Sequence, residues 1–221
     1  MGDQRYTIKV NTPPEDEPVS LEEAKLQCRI DSTGDEDYDA LIDNQLSSMI
    51  KAAREHVEML TRRTLMATVF DMYLDRFPTP YDQKNPFVFR KQWPYQIPLP
   101  RLPLLLGEGN ELSIEYYDEN NSLQQLTEGE DYEVDDTAEP PIVDVITGEV
   151  WPQTRERFKA VHIKFSAGYA SVDDVPARAK MAILHIVGQT WMQREAIVVG
   201  SIVTDVKFLD RLLAGLTVLE F

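Results

Sequence analysis

The sequence predicts an α+β protein. Its frame is a helical bundle of three main helices, the last of them central. A small antiparallel β domain is inserted before that last helix, and extended arms lie at both ends. Three observations predict this. Pro176 to Ala196 carries Met181, Ala182, Ile183, Leu184, Ile186, Val187 and Trp191, apolar on nearly every side, which marks a helix packed on several sides at once. Between Tyr38 and Thr64, Ile42, Leu46, Met49, Ile50, Ala53, Val57 and Leu60 fall on one stripe at helical spacing. Between these helices the period changes to two, and prolines and turn residues punctuate the chain.

The elements follow in order. Residues 1–17 form an arm in which Tyr6, Ile8 and Val10 alternate as in a short strand, before Pro13, Pro14 and Pro18 hold the chain extended. Residues 18–64 are the first helical part. Ser20-Leu21-Glu22-Glu23 reads as a capping box, and Leu21, Ala24 and Cys28 share a face of a short helix ending near Ile30. An acidic turn, Asp31 to Asp37, leads into the long helix, where Arg62 and Arg63 suit the C-terminal end of the dipole.

Residues 65–171 are the β domain. Strands are predicted at Thr68–Asp75, Glu111–Asp118, Leu123–Leu126, Tyr132–Val134, Ile142–Ile146, Val150–Trp151 and Ala160–Phe165. The prolines from Pro78 to Pro103 exclude a helix or a central strand there. Phe87, Phe89, Trp93 and Tyr95 in that stretch need cover, so this is either a docked loop or an exposed contact with a neighbour. Residues 172–199 hold the central helix, with Ile183, Val187 and Trp191 as its core positions.

Residues 200–221 form a tail. It is expected to contain a strand around Ile202, Val203 and Val206, a short helix from Lys207 to Ala214, and an apolar, β-prone end from Leu216 to Phe221. Such an end suits addition to another chain's sheet or groove. Ile202, Val203, Phe208, Leu212, Leu216, Val218, Leu219 and Phe221 are therefore the candidate docking residues.

Composition narrows the function. The chain has 221 residues, is 43% hydrophobic and carries a net charge of −16, with a pI near 4.5. Sequence-independent DNA binding depends on Lys and Arg neutralising phosphates, and no basic run is present. Cys28 stands alone, consistent with a reducing compartment. MGDQRYTIKV lacks the pattern of a signal peptide, and no apolar run reaches the length of a membrane span, so no membrane partner is expected.

Catalytic constellations were sought. Asp35, Asp37 and Asp39 imitate the start of a calcium loop, but Ala40 and Leu46 stand where glycine and a bidentate Glu are needed. His56, His162 and His185 have no second ligand at helical spacing. The His185 position suits a hydrogen-bonded interior residue, and His162 is expected to point away from the core. No nucleophile elbow or phosphate loop occurs. Acidic-x-Lys triplets at Glu23–Lys25 and Asp205–Lys207 are common by chance and lack a partner carboxylate, so a metal-dependent nuclease is only an alternative. The expectation is no enzyme, no cofactor and no metal.

The order of motifs resembles a known family. Pro18-Val19-Ser20-Leu21-Glu22-Glu23-Ala24-Lys25 is followed by Ile30-Asp31 and an acidic cluster. Then come Ala52-Ala53-Arg54-Glu55-His56-Val57-Glu58, Thr61-Arg62-Arg63-Thr64-Leu65 and Leu74-Asp75-Arg76-Phe77-Pro78. Ile97-Pro98-Leu99-Pro100-Arg101-Leu102-Pro103-Leu104 and a strand with Tyr116-Tyr117 follow. Ala167-Gly168-Tyr169 leads to Val175-Pro176-Ala177, and the helix closes with Arg194-Glu195-Ala196 before Val198-Val199-Gly200. From about residue 18 to 200 this resembles the head–tail connector (adaptor) proteins of long-tailed bacteriophages and gene transfer agents.

The resemblance implies a virion protein, made in the host cytoplasm, that forms a dodecameric ring below the portal. Its partners would be the portal protein, neighbouring copies, and a stopper or tail protein, with DNA passing through the channel unread. The tail would dock on the portal. The β domain and the stretch from Thr79 to Gln96 depart from the shortest, nearly all-helical members. Another virion ring protein, a stopper or tail terminator, is the nearer alternative, and such proteins are expected to be mostly β.

Overall fold

The computed structural model describes residues 6–79, 95–107, 109–193 and 203–218. In chain order the elements are β1 (Tyr6–Thr12), α1 (Leu21–Cys28), α2 (Glu36–Thr61), β2 (Thr68–Leu74), β3 (Ile97–Pro98), β4 (Leu104–Leu105), β5 (Ser113–Tyr117), β6 (Leu123–Leu126), β7 (Tyr132–Asp135), β8 (Ile142–Val145), β9 (Val161–Ala167), α3 (Ala177–Met192) and α4 (Val203–Leu213). They form two units, each with its own core. The β unit holds residues 6–14 and 67–168, and the helical unit holds residues 15–66 and 169–218.

In the β unit one sheet runs β1-β2-β9-β5-β6, with β4 also on β9, and a second runs β3-β8-β7. Strict alternation in β2 sends Thr68, Phe70, Met72 and Leu74 inward. β9 answers with Val161, Ile163 and Phe165, paired to β2 from Thr68↔Ala167 to Leu74↔Val161. Both sheets share one apolar core. Phe70 stacks on Phe165 with ring centroids 5.7 Å apart. The buried Tyr132 hydroxyl donates to the Leu112 carbonyl at 3.0 Å, so its one polar atom is satisfied.

Three features differ from the sequence expectation. Tyr6–Thr12, read as part of an arm, is an edge strand of the large sheet, paired antiparallel to β2. Val150-Trp151 is not a strand; Trp151 is buried in the core, stacked on Phe77 at 4.8 Å, and its Nε1–H donates to the Tyr95 carbonyl at 2.7 Å. The Pro-rich stretch contributes β3, an edge strand in which Pro98 is tolerated because one side of the strand needs no donor.

In the helical unit, α1 begins at the expected capping box. The Glu23 amide donates to Ser20 Oγ at 3.1 Å and the Ser20 amide to Glu23 Oε2 at 2.8 Å. Asp35 caps α2, accepting from the amides of Asp37 and Tyr38 at 3.1 Å. The α2 stripe packs inward through Leu46, Ile50, Ala53 and Val57. It meets Ala179, Ala182, Ile183 and Val187 of α3 in one cluster.

α3 packs against α1, α2 and α4, as expected of a central helix, with Leu184, Ile186 and Trp191 joining its buried residues in the cluster. Met181 and Met192 are 55% and 78% exposed, so part of its surface stays open. Its described part ends at Met192, and Arg194 to Ala196 lie outside the described residues. Gly188 lets α1 come close: a Cβ there would stand 3.3 Å from Gln27 Nε2.

Arg54, placed on the solvent side by its sequence position, is instead buried at 5% exposure. Its Nε donates to Glu17 at 2.7 Å and its Nη1 to Glu58 at 3.0 Å. Burial works to lower the guanidinium pKa; the Glu17 hydrogen bond and the charges of Glu58 and Glu17 outweigh it and raise the pKa. Glu58 also accepts from the Leu65 amide at 2.8 Å, so one network ties the linker before α1 to the turn after α2.

Two outcomes follow. Arg54→Ala strands the facing carboxylates and is expected to cost about 3 kcal/mol in urea unfolding; a loss within error of zero disproves the network's role. Burial, with the charges of Glu128 and Asp131 adding to it, pushes the Tyr132 hydroxyl up to about 12. The neutral phenol thus gives stability that is complete below about pH 10, its unfolded value, and is lost as pH rises through the folded value. Tyr132→Phe should lose about 1 kcal/mol at pH 7 and should lack this alkaline component of the wild-type stability curve.

Candidate assembly surfaces

The tail turns back on the helical unit. Among its described residues, α4 begins at Val203, so the strand expected around Val203 and Val206 is a helix; Ile202 lies outside the described residues. Helix wins there because apolar residues at 203, 206, 209, 212 and 213 recur at helical spacing along α4. Leu213 is 2% exposed, and Leu209, Leu212 and Leu216 pack half-buried on the same cluster as α2 and α3.

Polar contacts close the turn after α4. Arg63 Nε donates to the Leu216 carbonyl at 2.8 Å, and the Val218 amide donates to the Thr61 carbonyl at 3.1 Å. The end of α2 lends those groups because Arg62 at its C-cap takes a left-handed conformation, φ 59°, leaving the last carbonyls to outside donors. The tail through Val218 is therefore anchored on its own chain, which corrects the picture of a wholly unpaired end.

Phe208 stands apart from the anchored positions. It is 43% exposed, and its ring lies 4.7 Å from that of His185 on α3. His185 is half-buried beside this ring, at the lip of a shallow cleft of about 230 Å³ lined by Gln27, His185, Gly188, Gln189, Met192 and Gln193. Amides and a thioether dominate that lining, and no nucleophile stands beside a base in it.

The remaining candidates divide. Ile183 and Val187 are fully buried in the helical core and Trp191 packs against it. Tyr95 packs half-buried on the β core. Leu219, Phe221, Phe87, Phe89 and Trp93 lie outside the described residues, and of Val203 only the backbone is described.

The outer face of the large sheet is polar, and sequence reading missed its organisation. His162 does point away from the core: its Nε2 lies 2.9 Å from Asp71 Oδ1 and its Nδ1 3.6 Å from Glu115 Oε2. Tyr73 stacks on the imidazole at 4.8 Å, with Lys159 Nζ 5.1 Å above the Tyr73 ring. Partial burial works to raise the Asp71 carboxyl; hydrogen bonds from Asn11 and His162 outweigh it and hold the pKa below the usual range. Strand alternation alone exposes these residues; their convergence depends on cross-strand register, which has no local signal.

Among the described residues, no group of three or more His, Cys, Asp or Glu is arranged to hold a metal ion. Asp35 and Asp39 of the calcium-like run serve local structure. Asp35 is the α2 cap, and Asp39 accepts from Ser32 and Thr33, which lowers its pKa to about 2. Cys28 is half-buried at the end of α1, where burial pushes its thiol pKa up, away from reactive thiolate.

No family model matches the sequence, and no curated protein does. Solved structures share its fold, an α+β architecture with helices and antiparallel sheets. The chain is similar to one in the neck of an empty gene transfer agent (GTA) particle computed with C6 symmetry. That likeness has a TM-score of 0.68 and 18% identity, and covers 97% of this chain and 97% of that one. It is also similar to a chain of the virion of a native GTA particle, with a TM-score of 0.66 and 17% identity over 93% and 94% of the two chains. A chain from the neck of a native GTA particle computed with C12 symmetry gives 0.58 and 13%, over 93% and 96%.

The tail's anchoring predicts a specific weakness. Leu213→Ala should cost about 3 kcal/mol in global stability and should raise hydrogen exchange first within residues 203–218. Exchange that stays at the wild-type level there rules out Leu213 as the anchor.

Proposed function

We propose that this chain is a structural subunit of a virion neck, a head–tail connector of the adaptor type. Copies of it form a ring beneath a portal, extend the DNA channel and present a platform to a stopper or tail protein. The observation that carries this is end-to-end likeness in both directions, 97% of each chain, to a chain of a gene transfer agent neck. The ordered motifs from Pro18 to Gly200 point to the same family independently of the coordinates. Reconstructions of such necks with six- and twelvefold symmetry support a ring.

Physical chemistry agrees with the assignment. A charge of −16 suits a channel wall, because like-charge repulsion prevents the counterion release that makes DNA stick. Among the described residues four α-helices, one of them of 26 residues, favour the adaptor over a stopper or tail terminator, which are expected to be mostly β.

In this reading, portal docking uses what the tail leaves outside its own core. Phe208 is the described candidate, Leu212, Leu213 and Leu216 hold the tail in place, and Leu219 and Phe221 lie outside the described residues. The test is co-sedimentation and electron microscopy of the full chain with a portal ring from the same virion. Phe208→Asp should reduce portal binding tenfold or more with the unfolding curve unchanged. A wild-type chain that decorates no portal ring overturns the adaptor reading, and wild-type-like binding by Phe208→Asp removes the tail surface from it.

A further inference from the structure

The large sheet ends in two different edges. Among the described residues β1 closes one side and β6 the other. The edge strands are exposed along most of their length, and on β1 Tyr6 and Val10 are 39% and 56% exposed although they lie on the face that elsewhere forms the core. Long, open, partly apolar edges are templates for pairing with another chain.

We propose that β6 of one copy pairs with β1 of the next, so that the sheet continues from subunit to subunit. This rests on the reading that copies sit side by side in a ring, and it names the contact that joins them. Four observations select this occupant and this arrangement.

Direction comes first. Every neighbouring pair from β1 to β6 is antiparallel, so β1 and β6, first and fifth in order, point the same way. A like-oriented copy therefore presents β1 parallel to β6. This contact joins two unlike surfaces, the heterologous kind that builds rings. Pairing β1 with β1 would need a two-fold axis and would stop at a dimer.

Register comes second. Across the sheet Tyr6 is level with Leu74, Val161, Tyr116 and Gln124, and Ile8 with Met72, Ile163, Ile114 and Leu126. A continued sheet without stagger sets Ile8 beside Leu126 on the core face and Thr7 beside Gln125 on the outer face. Apolar thus meets apolar at Ile8 and polar meets polar at Thr7, while Tyr6 falls beside Gln124.

Charge comes third. β1 carries Lys9 and no acidic residue. The β5–β6 hairpin and its exit turn carry Glu115, Asp118, Glu119, Glu128, Glu130 and Asp131, with no Lys or Arg of their own from 113 to 131. Arg157 from another segment stacks on Tyr117 at 4.1 Å. In the continued register Lys9 falls level with Thr127, next to Glu128. In a chain this acidic, a β6–β6 contact is repulsive, and the β1–β6 contact is the one with opposite signs.

Shape comes fourth. β1 has seven residues and β6 has four. In the register above, Gln124, Gln125 and Leu126 of β6 face Tyr6, Thr7 and Ile8 of β1, so three of its four residues find a facing strand.

The test uses the full chain with exposed positions on the shared rung. Thr7→Cys and Gln125→Cys, separately and together, are treated with a short bifunctional maleimide at high protein concentration; the wild type, with Cys28 only, is the blank. The double variant should give a ladder of covalent oligomers. The two single variants should give a heterodimer when mixed and nothing above blank alone. Lys9→Glu added to the double variant should lower the ladder at least fivefold, with circular dichroism unchanged. Absence of the ladder, or homodimers of Thr7→Cys alone, overturns the proposal. Failure of portal binding with the ladder intact would instead count against the adaptor reading.

Discussion

The β2–β9 ladder is the constraint on which the architecture depends. These strands carry the chain into and out of the β unit, and Thr68 pairs with Ala167 at their open end. The chain therefore leaves the helical unit after Met66 and returns at Tyr169 through adjacent points. Some hundred residues of insertion thereby demand little of the helices on either side. Seven in-register pairs hold that closure, with Phe70, Met72, Val161, Ile163 and Phe165 buried along one face. Loop-closure entropy grows slowly with length, so a long insertion sealed at its base is thermodynamically mild. The same base lets α2 and α3, far apart in sequence, meet as neighbours in one bundle.

Much of this was legible because local rules and global fold agree. The capping box at Ser20, the α2 stripe and the alternation of β2 and β9 are each set within a few residues, and each element stands where its pattern puts it. What was illegible depends on distant partners. Arg54 looks like a surface residue until Glu17, 37 positions earlier, is brought beside it. Met181 and Met192 look like core residues because apolar composition does not say which faces find a neighbour. Trp151 looks like strand and is a core plug, since a large ring with one donor needs only the Tyr95 carbonyl to be buried.

The candidate surfaces show the same division. The tail was legible as apolar and as holding a helix from Lys207, but not as starting that helix at Val203 or seating it on its own bundle. Leu213 and Leu216 satisfy locally the hydrophobicity that suggested an external partner. Among the described tail residues, that leaves Phe208 as the large apolar side chain with outward reach. The polar row of Tyr73, His162 and Glu115 was invisible because register is a property of strand pairs. Its residues are tied to one another by hydrogen bonds and stacking, as a solvated sheet face requires, and they enclose no cleft in which a substrate would be desolvated.

A ring subunit of the kind proposed would have to reconcile two opposed electrostatic demands. Facing DNA, negative charge is useful because it prevents adhesion. Facing another copy of itself, the same charge is a cost that each interface must offset locally. An isologous contact would bring equal patches of an acidic surface together, whereas a heterologous one can match a basic element to an acidic one. β1, with Lys9 and no acid, is such a basic element in a chain of charge −16, and it lies on the sheet edge opposite the acidic hairpin. Sheet topology thus separates the two signs onto the two edges that a ring would join.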